Sequence, residues 1–341
     1  MFLKSLIRKK EKDHKFITHL SSNPFIYGLK SVVDLQISHN LDFIKKSNKP
    51  YIAWHPTKKS FSNAIWEHCI KVGRPAYFAE RGALPNTVVI DPGGFLSDSP
   101  SYFEHNWNNP LSDSQKNIID EYVDTLKGKD ESLEFQESNR MGPDSFSEKL
   151  ALNGKHVVFV PLQLANDTVI QRWCDWVKDL KSFQDIVEQV AVYCPDVVFL
   201  VKNHPIARNP KSSTPLMSAN RNIFVVDEFH YKDCLDVADK VLTINSGVGL
   251  QAMAWSIPTI VTGQAFYNFE KINQRATSID DIVGMIKDDF AVSHERSRRF
   301  LYFLKFKMYS DCIQYKSKKN RYRNATTRCK YLNIRIPECN K

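Results

Sequence analysis

The strongest constraint on this chain is a repeated alternation of short apolar runs with segments of helical spacing. In its first half, the apolar runs Tyr51–Trp54, Pro75–Ala79 and Thr87–Ile90 are typical of buried strands. Between the first two lies Ser62–Val72, whose apolar residues recur at helical intervals. Strands that alternate with helices in this way predict a parallel sheet with helices on its faces.

The same alternation begins again in the second half of the chain. A polar stretch from about Ser97 to Gly154, with one helical segment near Gln115–Leu126, separates the two halves. The sequence therefore predicts an α/β fold of two Rossmann-like domains facing a cleft, with ligands at the carboxyl ends of the strands. The predicted strands of the second half are His156–Pro161, Val197–Val201, Ile223–Val226, Lys240–Ile244 and Pro258–Thr262, and its helices are Phe183–Tyr193, Cys234–Ala238 and Gly249–Trp255.

Composition divides the 341 residues further. We expect an N-terminal basic or helical extension over 1–47, domains over 48–150 and 151–290, and a basic C-terminal helix or tail over 291–341. The tail holds 14 Lys and Arg against 3 Asp and Glu, so its charge alone exceeds the +9 of the whole chain. Such a tail can bind anionic lipid headgroups or nucleic acid, or can simply be solvated.

Cysteine usage and hydropathy indicate the compartment. The seven cysteines include no CxxC pair and fit reduced thiols better than a disulfide framework or a metal site. No segment offers about 18 consecutive apolar residues without charge, and the N-terminus lacks the long apolar region of a signal peptide. We therefore expect a cytoplasmic protein that can also attach to the inner surface of the membrane.

Four loops that follow predicted strands carry the candidate chemistry. One of them contains Ser246, Gly247, Val248 and Gly249 and leads from a strand into a helix. Its glycines allow a close approach of the backbone to a ligand, and the helix N-terminus suits a phosphate. The alternative is structural, with Ser246 capping the helix and the glycines serving packing.

A second loop, Lys202-Asn-His204-Pro205, comes directly after the strand Val197–Val201. A cation and an imidazole at a strand end suit recognition of a nucleotide phosphate or ribose. Pro205 biases His204 toward an extended conformation. A lone histidine is more often structural. The glycine loop that follows in the chain favours a binding role for His204.

The other two loops place a carboxylate in each predicted domain. Asp167, in the segment Gln163–Asp167, can act as a nucleophile or base at the anomeric carbon of a sugar, or can cap the next helix. Glu80 ends a strand of the first domain and precedes the loop Asp91–Gly94. Facing each other across a cleft, the two carboxylates can divide nucleophile and acid/base roles. Arg81 can instead neutralise Glu80 in an ion pair.

In their order along the chain, these loops resemble the motifs of the capsular polysaccharide synthesis family. Its characterised members are retaining β-Kdo transferases that use CMP-Kdo. The chain departs from the family pattern at His55-Pro56, where a glycine is more usual, and after Asp91, where an Asn is common. The resemblance covers residues 50–270, with matching segments at Trp54–Lys58, Glu80–Pro85, Asp91–Gly94, Gln163–Asp167, Lys202–Pro205, Ser246–Gly249 and Gly263–Tyr267.

The resemblance implies a GT-B-like fold with the acceptor in the domain 48–150 and the nucleotide sugar in the domain 151–290. It implies that the CMP part is bound by Lys202, His204, Pro205, Ser246, Gly247, Val248 and Gly249. Asp167 is the implied nucleophile of a double displacement, and Glu80 the implied acid/base that activates the acceptor hydroxyl. The residues expected at the sugars are Gln163, Lys58, Arg81 and Tyr267. Neither a cofactor nor a metal is expected.

Other functions stay open on the sequence alone. A related GT-B transferase can use CMP-sialic acid or a UDP-sugar, and a non-catalytic member can bind glycan or nucleotide within an assembly complex. The tail, with Tyr315, Tyr322 and Tyr331 among basic residues, also fits nucleic acid, but no nucleic-acid-binding module is recognisable. The expected partners are therefore a nucleotide-sugar donor, a glycan or glycolipid acceptor and the inner membrane surface, without nucleic acid.

Overall fold

A computed structural model of the protein describes residues 15–20, 23–56, 60–128, 139–205, 215–316 and 327–337. The chain divides into two compact units. The first combines described residues up to Phe103 with those from Phe303 onward, and the second is Glu104–Tyr302. Each unit has its own sheet with helices packed on it, which confirms the predicted α/β class with two Rossmann-like units.

The first unit is built on a sheet whose parallel part continues into antiparallel strands. Its strands are β1 (Lys15–Thr18), β2 (Asp34–Ile37), β3 (Tyr51–Trp54), β4 (Ala76–Arg81), β5 (Thr87–Asp91), β12 (Tyr309–Lys316) and β13 (Thr327–Tyr331). Within the described residues they form one sheet in the order β13-β12-β5-β4-β3-β1-β2. The helices are Pro24–Leu29, Leu41–Lys46 and Phe61–Lys71, with 3-10 turns at Leu96–Asp98 and Pro100–Tyr102.

The parallel part of this sheet runs from β2 through β1 and β3 to β4 and contains the predicted runs Tyr51–Trp54 and Pro75–Ala79. The third predicted run, Thr87–Ile90, forms β5, which pairs antiparallel with β4, so the prediction of a parallel sheet is wrong for this strand. In β3, Tyr51 and Ala53 are buried. The helix Phe61–Lys71 begins after Ser60, whose hydroxyl accepts a hydrogen bond from the Asn63 N–H at 3.1 Å. It packs Ile65 against β3, because apolar residues at helical spacing share one face.

The second unit is built on a fully parallel sheet. Its strands are β6 (His156–Pro161), β7 (Val197–Lys202), β8 (Ile223–Val225), β9 (Lys240–Thr243), β10 (Thr259–Val261) and β11 (Asn273–Arg275). They lie in the order β11-β10-β9-β6-β7-β8. The helices are Glu104–Trp107, Asp113–Gly128, Pro143–Leu150, Thr168–Trp173, Leu180–Tyr193, Tyr231–Val237, Gly247–Gln251, Ile279–Lys287 and His294–Tyr302, with a 3-10 turn at Ala252–Trp255.

Both faces of the second sheet are covered by helices. Successive residues of a strand point to opposite faces, so Val158 packs toward Phe183 on one side and Phe159 toward Phe146 on the other. From β6 the chain runs outward to β7 and β8, then returns to β9 on the other side of β6. This reversal makes the β6/β9 edge the topological switch point, where ligands bind in open α/β sheets.

The predicted domain limits are wrong at both ends of the first unit. The segment 1–47, expected to be an extension, contains β1 and β2, which pair in parallel inside the sheet. Each strand has only four residues, so its apolar alternation is too short to stand out among the charged neighbours.

The basic segment 291–341 also departs from the prediction of a helix or tail. It contains the helix His294–Tyr302 and the π-helix Phe303–Met308, after which β12 and β13 join the first sheet. Cys312 of β12 is buried opposite Tyr331 of β13, while its neighbour Ile313 is exposed. The predicted boundary at 150/151 moves as well, because Asp113–Gly128 packs in the second unit, where Asp120 accepts from Arg298 Nε at 2.7 Å.

Among the helices of the described ranges, none combines the length and the apolar character needed to cross a membrane.

Candidate functional site

The predicted donor loops lie at the carboxyl ends of β6, β7, β9 and β10 in the second unit. Those after β6 and β9 are neighbours at the switch point, because these strands pair side by side. Gln163 follows β6 and is buried, and its Nε2 donates to Asn245 Oδ1 at 3.1 Å. The Asn245 N–H donates back to Gln163 Oε1 at 3.3 Å. The Gln163 amide therefore joins the two loops, which differs from its predicted contact with the sugar.

Asn245 is the residue that organises this edge, and sequence reasoning missed it. Its Nδ2 donates to the carbonyl oxygens of Val169 at 3.1 Å, Trp173 at 3.2 Å and Gln264 at 3.4 Å. These contacts tie the β9 loop to the helix Thr168–Trp173 and to the β10 loop. In the sequence, Asn245 could have been recognised as a polar residue shortly after the buried strand β9. The serine and glycines beside it are more familiar in ligand-binding loops and were considered instead.

The Ser246 loop has the structural roles that were the alternative to ligand binding, a helix cap and a packing glycine. Ser246 is the N-cap of Gly247–Gln251, and its hydroxyl accepts from the Val248 N–H at 3.2 Å. A Cβ on Gly249 would lie 2.6 Å from Tyr267 Oη, so this glycine is required for packing. Gly247 and Val248 are half-buried and lie between these two positions. The loop can still receive a ligand, but the serine and Gly249 also have structural roles.

Tyr267, predicted at the sugar, is fully buried, so the structure contradicts that role. Its hydroxyl donates to the Ser246 carbonyl oxygen at 2.5 Å, and burial raises its pKa. Tyr267 therefore fixes the position of the Ser246 loop from beneath.

Lys202, predicted to hold the donor phosphate, is buried at the end of β7. Its Nζ donates to three backbone carbonyl oxygens, those of Val226 at 3.4 Å, Asp227 at 2.9 Å and Phe229 at 2.6 Å. An ammonium group has three N–H donors, and these three hydrogen bonds to backbone oxygens occupy them. Lys202 is a structural residue in this arrangement, and the prediction is corrected accordingly.

His204 and Pro205 follow Lys202 and are half-buried. The residue between them and the strand, Asn203, is held by Asp227, which accepts from the Asn203 N–H at 2.8 Å and from its Nδ2 at 3.0 Å. The Lys202-Asn203 pair thus anchors the loop, and His204 is its partly exposed polar side chain at the sheet edge.

Asp167 is half-buried at the start of the helix Thr168–Trp173. Its Oδ1 accepts from the Val169 N–H at 3.2 Å, so it caps this helix as the structural alternative predicts. Burial first, and then the charges of Asp179 and Asp167, raise the pKa of the Cys174 thiol to about 12. The cap fixes the orientation of a carboxylate at the switch-point edge.

Glu80 lies in β4 of the first unit, with its side chain 17% exposed. Its Oε1 is 3.3 Å from His55 Nδ1, and among the described residues its buried Oε2 has no hydrogen-bond partner. Arg81 is exposed and, as the next residue of the strand, points to the opposite face. The partner of Glu80 is therefore an imidazole, and no local sequence pattern predicted that pairing.

A group of buried side chains surrounds Glu80. In the β4/β5 pair Phe78 is opposite Asp91, which puts the Asp91 carboxylate on the same face as Glu80. Asp91 Oδ1 accepts from the Gly93 N–H at 2.7 Å and Ser101 Oγ at 2.8 Å, while burial raises its pKa. Burial, and then the Glu80 and Asp91 charges, also raise the pKa of Tyr309, which β12 contributes. A carboxylate within such a group is suited to acid/base work.

Lys58, expected at the sugar, lies outside the described residues. Among the residues that the structure does describe, no group of three or more His, Cys, Asp and Glu side chains could hold a metal ion.

The chain is similar in sequence to known proteins. A family model described as capsule polysaccharide biosynthesis protein matches residues 100–294, more than half of the chain. Protein FixF of Sinorhizobium fredii is 28% identical over 238 residues. That match covers 67% of this chain and 52% of FixF, so the chain spans about half the length of this curated relative.

Two solved structures share the fold. The KpsC β-Kdo 2,4 transferase of Thermosulfurimonas dismutans matches with a TM-score of 0.63 and 14% identity, over 84% of this chain and 90% of that one. The KpsC β-Kdo 2,7 transferase of the same organism matches with a TM-score of 0.55 and 16% identity, over 84% and 89%. At these identities the likeness concerns the fold.

Proposed function

The chain belongs to the capsule polysaccharide biosynthesis family, and from this premise we propose that it is a glycosyltransferase acting on a cell-envelope glycan. We propose that it transfers Kdo from CMP-Kdo with retention of configuration. The observation that carries the proposal is the pair of polar loops that meet at the switch point of the second sheet. There the capping carboxylate of Asp167 and the Ser246 loop are tied together through Asn245. The fold shared with two Kdo transferases supports the choice of sugar.

In the proposed reaction, the Asp167 carboxylate attacks the anomeric carbon of the donor. The bond from that carbon to the phosphate oxygen breaks, and CMP leaves with the electron pair. A hydroxyl of the acceptor then attacks the same carbon, its proton passes to Glu80, and the ester bond to Asp167 breaks. Two inversions at one carbon retain its configuration. The proposal needs no metal or cofactor.

The roles of the donor loops change with the structure. Lys202 and Tyr267 are buried and donate hydrogen bonds to backbone carbonyl oxygens. The proposed contacts to CMP are therefore made by His204, Pro205 and the Ser246–Gly249 loop. Gln163 positions this loop through Asn245. Lys58 is a proposed partner of the Kdo carboxylate, because an ammonium group pairs well with a carboxylate. Arg81, expected at the sugar, lies on the face of β4 opposite to Glu80 and is not assigned this role.

The intact mass of the protein after incubation with CMP-Kdo generated in situ tests this proposal. Wild type is expected to release CMP and to gain the mass of one Kdo, and Asp167→Ala to do neither. Asp179→Ala is the matched control, because Asp179 also caps a helix of this unit and accepts from the Ser182 N–H at 2.7 Å. It loses the same kind of cap and should keep both activities.

The opposite results are equally informative. CMP release by Asp167→Ala at the wild-type rate would refute the nucleophile role and leave Asp167 with the role of a helix cap. Absence of both adduct and CMP release from wild type would refute the Kdo donor. CMP-sialic acid and UDP-sugars are the next donors to assay, and a protein inactive with all of them fits a non-catalytic glycan- or nucleotide-binding role.

The exposed face of the β12/β13 hairpin supports a further proposal, attachment to the inner surface of the membrane. Ile313 is opposite Lys330 and Tyr315 is opposite Arg328, and all four side chains are exposed. Apolar and basic side chains on one face suit an anionic lipid surface. Cosedimentation with phosphatidylglycerol vesicles should exceed that with phosphatidylcholine vesicles and fall in the Lys330→Glu variant. Equal cosedimentation with both would contradict the attachment.

A further inference from the structure

The first unit contains an open cavity of about 440 Å³ at one edge of its sheet. Its wall consists of residues that follow β1 and β3: His19, Leu20, Asn23, Trp54, His55, Ser60, Phe61 and Ser62. These strands are neighbours in the sheet, although the chain forms β2 between them. Such a reversal of strand order is where α/β sheets bind ligands, and the volume is within the usual range for small-molecule sites.

The wall combines flat rings with uncharged hydrogen-bonding groups. The ring of Phe61 is 41% exposed and meets the His19 ring edge-on at 4.8 Å. Trp54 is stacked on Phe25 at 5.1 Å, which fixes the indole in place. None of the described residues of the wall is Lys, Arg, Asp or Glu. A sugar ring has apolar C–H faces and a rim of hydroxyls, so rings beside amide, imidazole and hydroxyl groups are complementary to it.

His19 is held as a neutral hydrogen-bonding group in this wall. Burial, assisted by His39, lowers its pKa, and its Nδ1 is 2.6 Å from the Tyr51 hydroxyl. Burial raises the pKa of Tyr51, so this hydroxyl keeps its proton and can donate it to Nδ1. With Nδ1 as acceptor, the neutral ring carries its hydrogen on Nε2. A neutral N–H donor suits a hydroxyl oxygen better than it suits a phosphate.

His55 connects the cavity with Glu80. It lines the cavity, and its Nδ1 is 3.3 Å from Glu80 Oε1. Its φ of 42° lies in the left-handed region that favours glycine, so the backbone is strained where the imidazole meets the carboxylate. Backbone strain of this kind persists where the surrounding structure imposes it, often at functional sites.

We propose that this cavity binds a sugar ring at the end of the acceptor glycan, and that His55 joins the bound hydroxyl to Glu80. Binding of a sugar stands by itself, whereas the identity of that sugar as the acceptor rests on the proposed transferase function. The substrate class is a neutral or acidic pyranose whose ring lies against Phe61.

Saturation-transfer NMR tests the binding of sugars. The probes are methyl glycosides of Kdo, N-acetylglucosamine, galactose, glucose and rhamnose at millimolar concentration. Wild type should transfer saturation to at least one of them, and Phe61→Ala should weaken that signal about 5-fold, as expected for one lost ring contact. The matched control is Phe43→Ala, because Phe43 is similarly exposed at 46%, belongs to the same unit and lies outside the cavity wall.

Three results would refute the proposal that the cavity binds a sugar. These are the absence of transfer to every probe, an equal loss of signal in the two phenylalanine variants, and displacement of the bound glycoside by CMP. The last result would make the cavity a nucleotide site.

The acceptor assignment has a separate readout, because CMP release from CMP-Kdo does not require the cavity. Phe61→Ala should lower the rate of Kdo transfer to the glycoside that binds relative to its own rate of CMP release, and Phe43→Ala should keep the wild-type ratio of these two rates. An unchanged ratio in Phe61→Ala would refute the acceptor assignment alone. If wild type released no CMP, the transferase proposal would fail, while the NMR result would still decide whether the cavity binds sugars.

Discussion

Lys202→Met distinguishes a structural ammonium group from one that binds the donor phosphate. The methionine side chain keeps most of the length and apolar character of lysine but donates no hydrogen bond. Three carbonyl oxygens, those of Val226, Asp227 and Phe229, then lose their common donor. A buried acceptor left unsatisfied costs about 1–3 kcal/mol. The Val226 oxygen still accepts from the Phe229 N–H at 3.2 Å, so the lower limit for the other two oxygens gives a loss of about 2 kcal/mol in the free energy of unfolding.

Thermal unfolding followed by circular dichroism measures this loss. For a unit of about 200 residues such as Glu104–Tyr302, 1 kcal/mol shifts Tm by about 2–4 °C, so Lys202→Met should lower Tm by about 4–8 °C. Lys240→Met is the graded control. Lys240 is also buried, and its Nζ donates to the Asp288 carbonyl oxygen at 2.5 Å. The Lys240→Met variant should lose about half as much stability as Lys202→Met.

A second measurement, the affinity for CMP, completes the test of Lys202. The structural role predicts that Lys202→Met, assayed below its Tm, binds CMP with an affinity close to that of wild type. A variant with a Tm within about 2 °C of wild type but with about 10-fold weaker CMP binding would refute the reasoning, because a lost phosphate contact acts on affinity and not on folding.

Three further substitutions test the rest of the site. Gly249→Ala should destabilise the protein by about 1–3 kcal/mol in chemical denaturation, since its Cβ would lie 2.6 Å from Tyr267 Oη; an unchanged midpoint would contradict this packing. His55→Gly should change stability by less than about 1 kcal/mol, because relief of the left-handed strain offsets the lost contact with Glu80. Its transfer rate should fall at least about 10-fold, and a wild-type rate would remove His55 from the mechanism. Burial raises the pKa of Asp91, so the folded state binds this proton more tightly and stability falls as the pH rises from 3.8 through the raised pKa; Asp91→Asn should flatten the pH dependence of the unfolding free energy above about pH 4, and parallel curves would contradict it.

The sequence predicted the second unit well because its strands are continuous apolar runs. The strand His156–Pro161 has the predicted bounds, and Val197–Lys202 differs by one residue. In a parallel sheet buried on both faces, the hydrophobic effect requires such runs, so they are visible in the sequence. The strand β1 was missed because its four residues are too few to stand out, although Phe16 and Ile17 are buried on opposite faces. The strand β12 was missed because basic residues dominate the composition around it.

The sequence predicted where the loops of the candidate site lie better than it predicted the role of each residue. Asp167 and Ser246 do follow strands that meet at the switch point. Lys202 and Tyr267 were misassigned because local sequence does not reveal which donors the backbone already uses. The backbone strain at His55 and its contact with Glu80 arise from tertiary packing, which no spacing of residues along the chain encodes.

The return of β12 to the first sheet has a consequence for how the protein is made. On the ribosome, β5 is synthesised more than 200 residues before its neighbour β12, which brings Tyr309 opposite Val89. Until then the β5 edge is unpaired and open to association with other nascent chains. The second unit, Glu104–Tyr302, is continuous and can complete its sheet first. The strands β1 to β5 are therefore synthesised before the second unit, but their sheet is completed after it.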